Sequence, residues 1–199
     1  MKKNWLILIA VVAAIAIVII SNELGKDSGA SNAAGPRQER AADAPANASQ
    51  EEAPKKGWAA PNFKLAALDS TSEFEVGGPR EKPLIVNFWA SWCGPCDIEA
   101  PDLVSLYEQY GDQVDLYAVN ATNYDKIRNA REFVQEKEFP FPVLMDEKGT
   151  AGNAYKVFAY PTSFIIGRDG KIAERIEGVI PLKQWKQYLD DAIANENPS

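Results

Sequence analysis

The stretch LIVNFWASWCGPCDIEAP, residues 84–101, runs from an almost unbroken apolar segment into a polar one punctuated by prolines. Leu84 to Ala90 has the near-continuous apolar character of a strand buried on both faces. From Cys96 to Tyr110 the apolar spacing becomes helical, placing Ile98, Leu103, Leu106 and Tyr107 on one face. Cys93 therefore falls at a strand-to-helix junction, with Cys96 one turn into the helix. At that spacing the two Cβ atoms lie about 5–6 Å apart, close enough to close a disulfide after a small adjustment. Unpaired N–H groups and the helix dipole stabilise a thiolate on Cys93. Cys96, deeper in the helix, suits the part of resolving thiol. Pro95 removes an N–H that has no helical partner, and Gly94 lets another backbone approach closely. Trp89 and Trp92 flank the pair, where they would shield it or line a docking groove.

Composition narrows the chemistry. The 199-residue chain has two cysteines, no histidine and a net charge of −7. Without histidine there is no Ser-His-Asp or Cys-His catalysis. Two thiols fall short of the four ligands of a zinc site, and Asp97 stands where a Cys-x-x-Cys-His haem attachment needs histidine, so no metal or other cofactor is expected. A structural disulfide closing so tight a loop would add little stability. The acidic balance and the lack of a basic stripe argue against a nucleic-acid partner. What remains for the pair is redox exchange.

Outward from this stretch, pattern and punctuation predict a succession of short elements. Strands are expected at 62–68 and 73–76, 114–120 and 142–145, and a hairpin at 162–167 and 171–176. Helices are expected at 125–137, with Ile127, Ala130, Phe133 and Val134 inward, at 152–157, and at 182–194 behind Pro181. Strands alternating with helices and ending in a hairpin imply a three-layer α/β sandwich around a mixed sheet.

The amino end reads differently. Basic Lys2 and Lys3 precede sixteen consecutive apolar residues, Trp5 to Ile20, which as a helix would span ~24 Å. A small-x-small cleavage site occurs only at Ser28-Gly29-Ala30 or beyond, too far from the apolar run for an ordinary signal peptide. Residues 1–20 are therefore expected to be an uncleaved single-pass membrane anchor, with the N-terminus cytoplasmic and the rest extracytoplasmic, where a cysteine pair meets an oxidising compartment. Residues 21–57, rich in Ala, Ser, Asn, Gly and Pro, are expected to be a disordered linker. Residues 58–199 are then the folded domain.

Phe88-Trp89-Ala90-Ser91-Trp92-Cys93-Gly94-Pro95-Cys96, together with Tyr160-Pro161-Thr162 before a strand, resembles the thioredoxin superfamily. Residues 58–199 resemble its membrane-anchored TlpA/ResA-like branch. That likeness is carried by Ala60-Pro61-Asn62-Phe63-Lys64-Leu65, by the segment from Asn120 to Phe141, by Phe141-Pro142-Val143 to Asp146 with Gly149 and Tyr155, and by Glu99. The resemblance implies a thioredoxin-like fold with an N-terminal β-hairpin and an inserted central α/β element. It implies that Pro161 is a cis-proline beside the cysteines, that Pro101 kinks the active-site helix, and that the backbone around Tyr160, Pro161 and Thr162 receives substrate. Asn87 departs from thioredoxin, which has a buried Asp there that assists proton transfer from the resolving thiol. In the branch, Glu99 would take over part of that role.

The function implied is an extracytoplasmic thiol-disulfide oxidoreductase acting as a monomer, with Cys93 as nucleophile and Cys96 as resolving thiol. It would reduce a disulfide-containing protein such as apocytochrome c and be recharged by a membrane electron donor of the thiol-transfer type. Two other readings remain. The Ala60-Pro61-Asn62-Phe63 opening also resembles peroxiredoxins, but Ala90-Ser91-Trp92 replaces their Thr-x-x-Cys approach to the thiol. A membrane-tethered assembly chaperone, or an oxidant for another envelope protein, would use the same anchor.

Overall fold

The computed structural model describes residues 54–194. The anchor expected at 1–20, and the linker up to residue 53, lie outside the described residues. Among those described, no helix is long and apolar enough to cross a membrane.

The chain forms β1 (Phe63–Ala66), β2 (Glu73–Val76), β3 (Leu84–Trp89), α1 (Gly94–Tyr110), β4 (Asp115–Asn120), α2 (Ile127–Glu136), β5 (Val143–Met145), α3 (Thr150–Ala154), β6 (Thr162–Ile166), β7 (Ile172–Glu177) and α4 (Leu182–Ala194). β1 and β2 make an antiparallel hairpin, while the other strands form a mixed sheet in the order β5-β4-β3-β6-β7. β3 is the central strand, parallel to β4 and antiparallel to β6. All six of its residues are buried, as a strand covered on both faces requires.

Two apolar layers sandwich the sheet. One joins Ile85 and Trp89 of β3 to Ala100, Leu103 and Leu106 of α1, Phe133 of α2, and Trp185 and Leu189 of α4. The other joins Val86 and Phe88 to Phe63 and Val76 of the hairpin and to Ala151 and Tyr155 at α3. α2 and β5, after β4, supply the inserted α/β element, and β5 lies at one edge of the sheet.

Several expected boundaries move. Order begins before residue 58: the Gly57 N–H donates to the Ile172 carbonyl and the Ile172 N–H to that of Trp58, with Lys56 paired to Glu174. The last residues of the segment read as linker are thus laid along β7. The short helix is 150–154 rather than 152–157, because Gly149, at φ 68°, turns the chain into it two residues earlier. Ile98 is 69% exposed and Ile127 is also exposed, not inward. In α1 the buried positions are Cys96, Glu99, Ala100, Leu103 and Leu106, a regular i, i+3, i+4 face that places the carboxylate inside and Ile98 out.

Candidate active site

Cys93 and Cys96 are joined as a disulfide, with Cα atoms 5.2 Å apart. Cys93 caps α1: its backbone is extended and its Sγ accepts the Cys96 N–H at 3.2 Å. Both sulfur-bearing residues are buried. The Cys96 N–H of the first turn thus points at the Cys93 sulfur, and in the dithiol form it and the helix dipole favour the thiolate. Gly94 and Pro95 form the first turn. A Cβ at Gly94 would meet nothing within 4 Å, so the backbone here stays open to an approaching chain.

Asn87 and Glu99, twelve residues apart, are one unit. Asn87 Nδ2–H donates to Glu99 Oε2 at 2.8 Å and to Ser163 Oγ at 2.9 Å. The second contact follows from the β3–β6 register, in which Asn87 faces Ser163. Glu99 is only 1% exposed, and its Oε1 takes no hydrogen bond from any described residue. Burial pushes its pKa up to about 7; the Asn87 hydrogen bond opposes that rise, and the charge of Asp102 adds to it. At three residues from Cys96 on the same helical face, this carboxylate lies within one turn of the resolving thiol. The amide at residue 87 cannot relay a proton, but it holds the group that can.

The other expected site residues divide. Trp92 is 60% exposed, donates its Nε1–H to the Tyr124 carbonyl at 3.0 Å, and meets the ring of Tyr160 edge-on at 5.8 Å. The Tyr160–Pro161 peptide is cis. The register Phe88↔Thr162 sets this turn beside the end of β3. Pro101 lies inside α1. Trp89 is a correction. Trp89 is buried, its ring packed on Phe133 at 4.8 Å; alternation along β3 turns it into the α1 layer, away from any groove. Thr162 is buried too, its hydroxyl donating to the Ala159 carbonyl at 2.8 Å, so its side chain braces the cis turn.

Asp125 escaped the sequence reading. Its carboxylate accepts the Ser91 N–H (2.7 Å), the Ser91 hydroxyl (2.6 Å), Asn120 Nδ2–H (2.9 Å) and the Lys126 N–H (2.7 Å). Partial burial raises its pKa, but these hydrogen bonds outweigh that and hold it below the ordinary value. The turn leading into Cys93 is thereby tied to the start of α2. An acid directly before a helix was the available signal, yet nothing in the sequence says that its partner lies 34 residues back.

A cavity of about 670 Å³ lies among Lys56, Gly57, β7 and α4 and shares no lining residue with the cysteine site. The chemistry-bearing residues are elsewhere, and size alone does not make that cavity the active centre.

Residues 57–175 match the AhpC/TSA family. The thioredoxin-like protein YneN of Bacillus subtilis is 34% identical over 137 residues, covering 68% of this chain and 79% of its own. The thiol-disulfide oxidoreductase ResA of Bacillus cereus is 34% identical over 142 residues, covering 71% and 80%. Among solved structures, StoA of Bacillus subtilis superimposes with a TM-score of 0.57 at 27% identity, covering 64% of this chain and 96% of that one. A Chlorobium tepidum protein described as the thiol:disulfide interchange protein DsbE gives 0.61 at 30%, covering 70% and 98%.

Proposed function

Because the chain belongs to the AhpC/TSA family, with the thioredoxin-like fold and a helix-capping cysteine pair, we propose that it is a membrane-tethered thiol-disulfide oxidoreductase that reduces disulfides in extracytoplasmic proteins, apocytochrome c among them. The oxidoreductase activity rests on one observation above all: Cys93 Sγ accepts a helix N-terminal amide while a buried carboxyl with an unpartnered oxygen sits one turn beyond Cys96.

In the dithiol form the Cys93 thiolate attacks a substrate disulfide. A Cys93–substrate disulfide forms, and the other substrate sulfur leaves as a thiolate. Glu99, ionised above about pH 7, takes the Cys96 proton. The Cys96 thiolate then attacks Cys93 Sγ, the mixed disulfide breaks, and the second substrate thiolate departs. Two electrons have passed to the substrate, and the protein is left as the Cys93–Cys96 disulfide. A membrane donor of the thiol-transfer type restores the dithiol. The extended substrate segment lies against the backbone at Tyr160-Pro161 by strand-like hydrogen bonds. The apolar run at residues 5–20 supports the tether, and its basic flank supports an outward-facing domain.

Replacing Cys93 by Ser should abolish disulfide reduction. Cys96→Ser should accumulate covalent substrate adducts, resolved by non-reducing electrophoresis of envelope proteins and identified by mass spectrometry. Recovery of no adduct would sink the protein-reductase reading, and adducts made only of proteins other than apocytochromes would sink that choice of substrate.

A further inference from the structure

Asp97 follows Cys96 directly and is the acidic residue in the first turn of α1. Its N–H donates to the Cys93 carbonyl at 3.2 Å, so it stands one helical turn, about 5.4 Å of rise, beyond the nucleophile. The helix dipole favours an acid in a first turn. Here that acid competes for the same positive end that favours the Cys93 thiolate, and like charges so close oppose each other.

The charge that answers Asp97 comes from the inserted element. Lys137, at the end of α2, places its Nζ 2.5 Å from Asp97 Oδ1 and 3.1 Å from Glu136 Oε1. The ammonium lies 5.7 Å from the centre of the Phe133 ring, and that ring packs on Trp89 of β3 at 4.8 Å. The Lys137 N–H donates to the Phe133 carbonyl, which fixes the root of the side chain. Exposed ion pairs contribute little because two free side chains must be ordered to make them. Lys137 is not free in that sense, since only 19% of its side chain is exposed. The hydrogen bonds to Asp97 and then Glu136 hold its pKa above the ordinary lysine value, so it remains an ammonium wherever Cys93 titrates. The other titratable groups about the pair are Glu99 and Asp102 on α1, Asp125 and Tyr124 ahead of α2, and Tyr160 across Trp92. None of these is a cation.

We propose that α2 tunes the nucleophile of the redox pair through Lys137, which cancels the charge of Asp97 at the start of α1 and so keeps the Cys93 thiolate accessible near neutral pH. Lys137 touches neither cysteine; it acts through Asp97, as a positioning residue. This role rests on the thiol-disulfide exchange reading above and adds to it a control on the rate of the first attack.

The test uses the full-length protein in detergent. In a Cys96→Ser background Cys93 is the only thiol. Iodoacetamide alkylates its thiolate: a thioether forms and iodide leaves. The alkylation rate against pH reads the Cys93 pKa, and the reagent is neutral, so it carries no charge to meet Lys137. Lys137→Met should raise that pKa by on the order of half a unit, the Coulomb energy of two charges about one helical turn apart in a largely aqueous surround. Asp97→Asn should lower it by a similar amount, and the two substitutions together should return it to the parent value. Lys137→Arg, which keeps the charge, should also restore it. High salt should narrow the gap between the parent and Lys137→Met. With both cysteines present and reduced, the pair gives two electrons to bis(2-hydroxyethyl) disulfide, which becomes two molecules of 2-mercaptoethanol while the protein becomes the Cys93–Cys96 disulfide. In Lys137→Met this reaction should run about twofold slower near neutral pH, because the loss of thiolate is partly offset by its greater nucleophilicity. An unchanged Cys93 pKa in Lys137→Met overturns the role of Lys137 and leaves the exchange reading intact. A rise that persists when Asp97→Asn is added also overturns it, because the effect is then not one of charge. A reduced parent that fails to reduce bis(2-hydroxyethyl) disulfide overturns the exchange reading and this role with it.

Discussion

At Glu99 the helix α1 reverses the usual order of burial, taking a carboxyl inside while Ile98 beside it faces solvent. Such a local violation needs a compensating use, and in the proposed mechanism proton transfer from Cys96 supplies one. The cost is visible in pH dependence. The folded-state pKa of about 7 lies above the ordinary unfolded value of about 4.3, so between them the folded protein binds the extra proton. Stability from this group is fully present below about pH 4, falls as pH rises to about 7, and is flat above. Glu99→Gln should therefore be more stable than the parent by on the order of 3 kcal/mol at pH 8 and show no advantage at pH 4, as read from urea midpoints at the two pH values. The same variant should resolve the Cys93 mixed disulfide about a hundredfold more slowly. In the parent, resolution should slow as pH falls through about 7, and this dependence should vanish in Glu99→Gln. A resolving rate with the same pH profile in both proteins would remove Glu99 from the proton path.

Among elements, the turn between β3 and α1 is held by α2. Asp125 accepts two bonds from Ser91 and one from Lys126 at the start of that helix, and Lys126 itself offers no side-chain cap. One carboxylate therefore serves as helix-start acceptor and as clamp on the redox turn. Asp125→Ala leaves the Ser91 N–H and Asn120 Nδ2–H without their acceptor, which should destabilise the domain by about 1–3 kcal/mol. Denaturant midpoints check the magnitude. Hydrogen exchange should localise the loosening to residues 90–93 and the first turn of α2, and a uniform loss across the sheet would contradict the clamp.

For the whole molecule, the central sheet is protected by unlike layers, with α1, α2 and α4 on one side and the hairpin with α3 on the other. α4 closes the first layer through Trp185, Leu189 and Ala192, of which Trp185 is fully buried. Trp185→Ala should cost about 3–5 kcal/mol, a large share of the 5–15 kcal/mol typical of a domain. The drop should appear as one cooperative thermal transition at lower temperature, followed by circular dichroism. A separate early melting of α4 with the sheet intact would show that the helix is not part of the common core.

The sequence alone determined the strand–turn–helix carrying Cys93 and Cys96, the alternation of elements and the mixed sheet, because these follow from local spacing, turn residues and apolar runs within a few residues of one another. It also set the chemistry: two thiols with no imidazole, placed at a helix start. Tertiary structure decided the rest. An apolar run buried on both faces carries no alternation, so residues 84–89 could not reveal that Trp89 faces the core or that Asn87 faces Glu99. The pairing of Asn87 with Glu99 and Ser163, the tie from Asp125 to Ser91, and the meeting of Trp92 with Tyr160 join positions 12 to 76 residues apart. Such contacts arise only when strand register and layer packing bring distant segments together, and it is they that set a buried carboxyl and exposed aromatic rings around the cysteine pair.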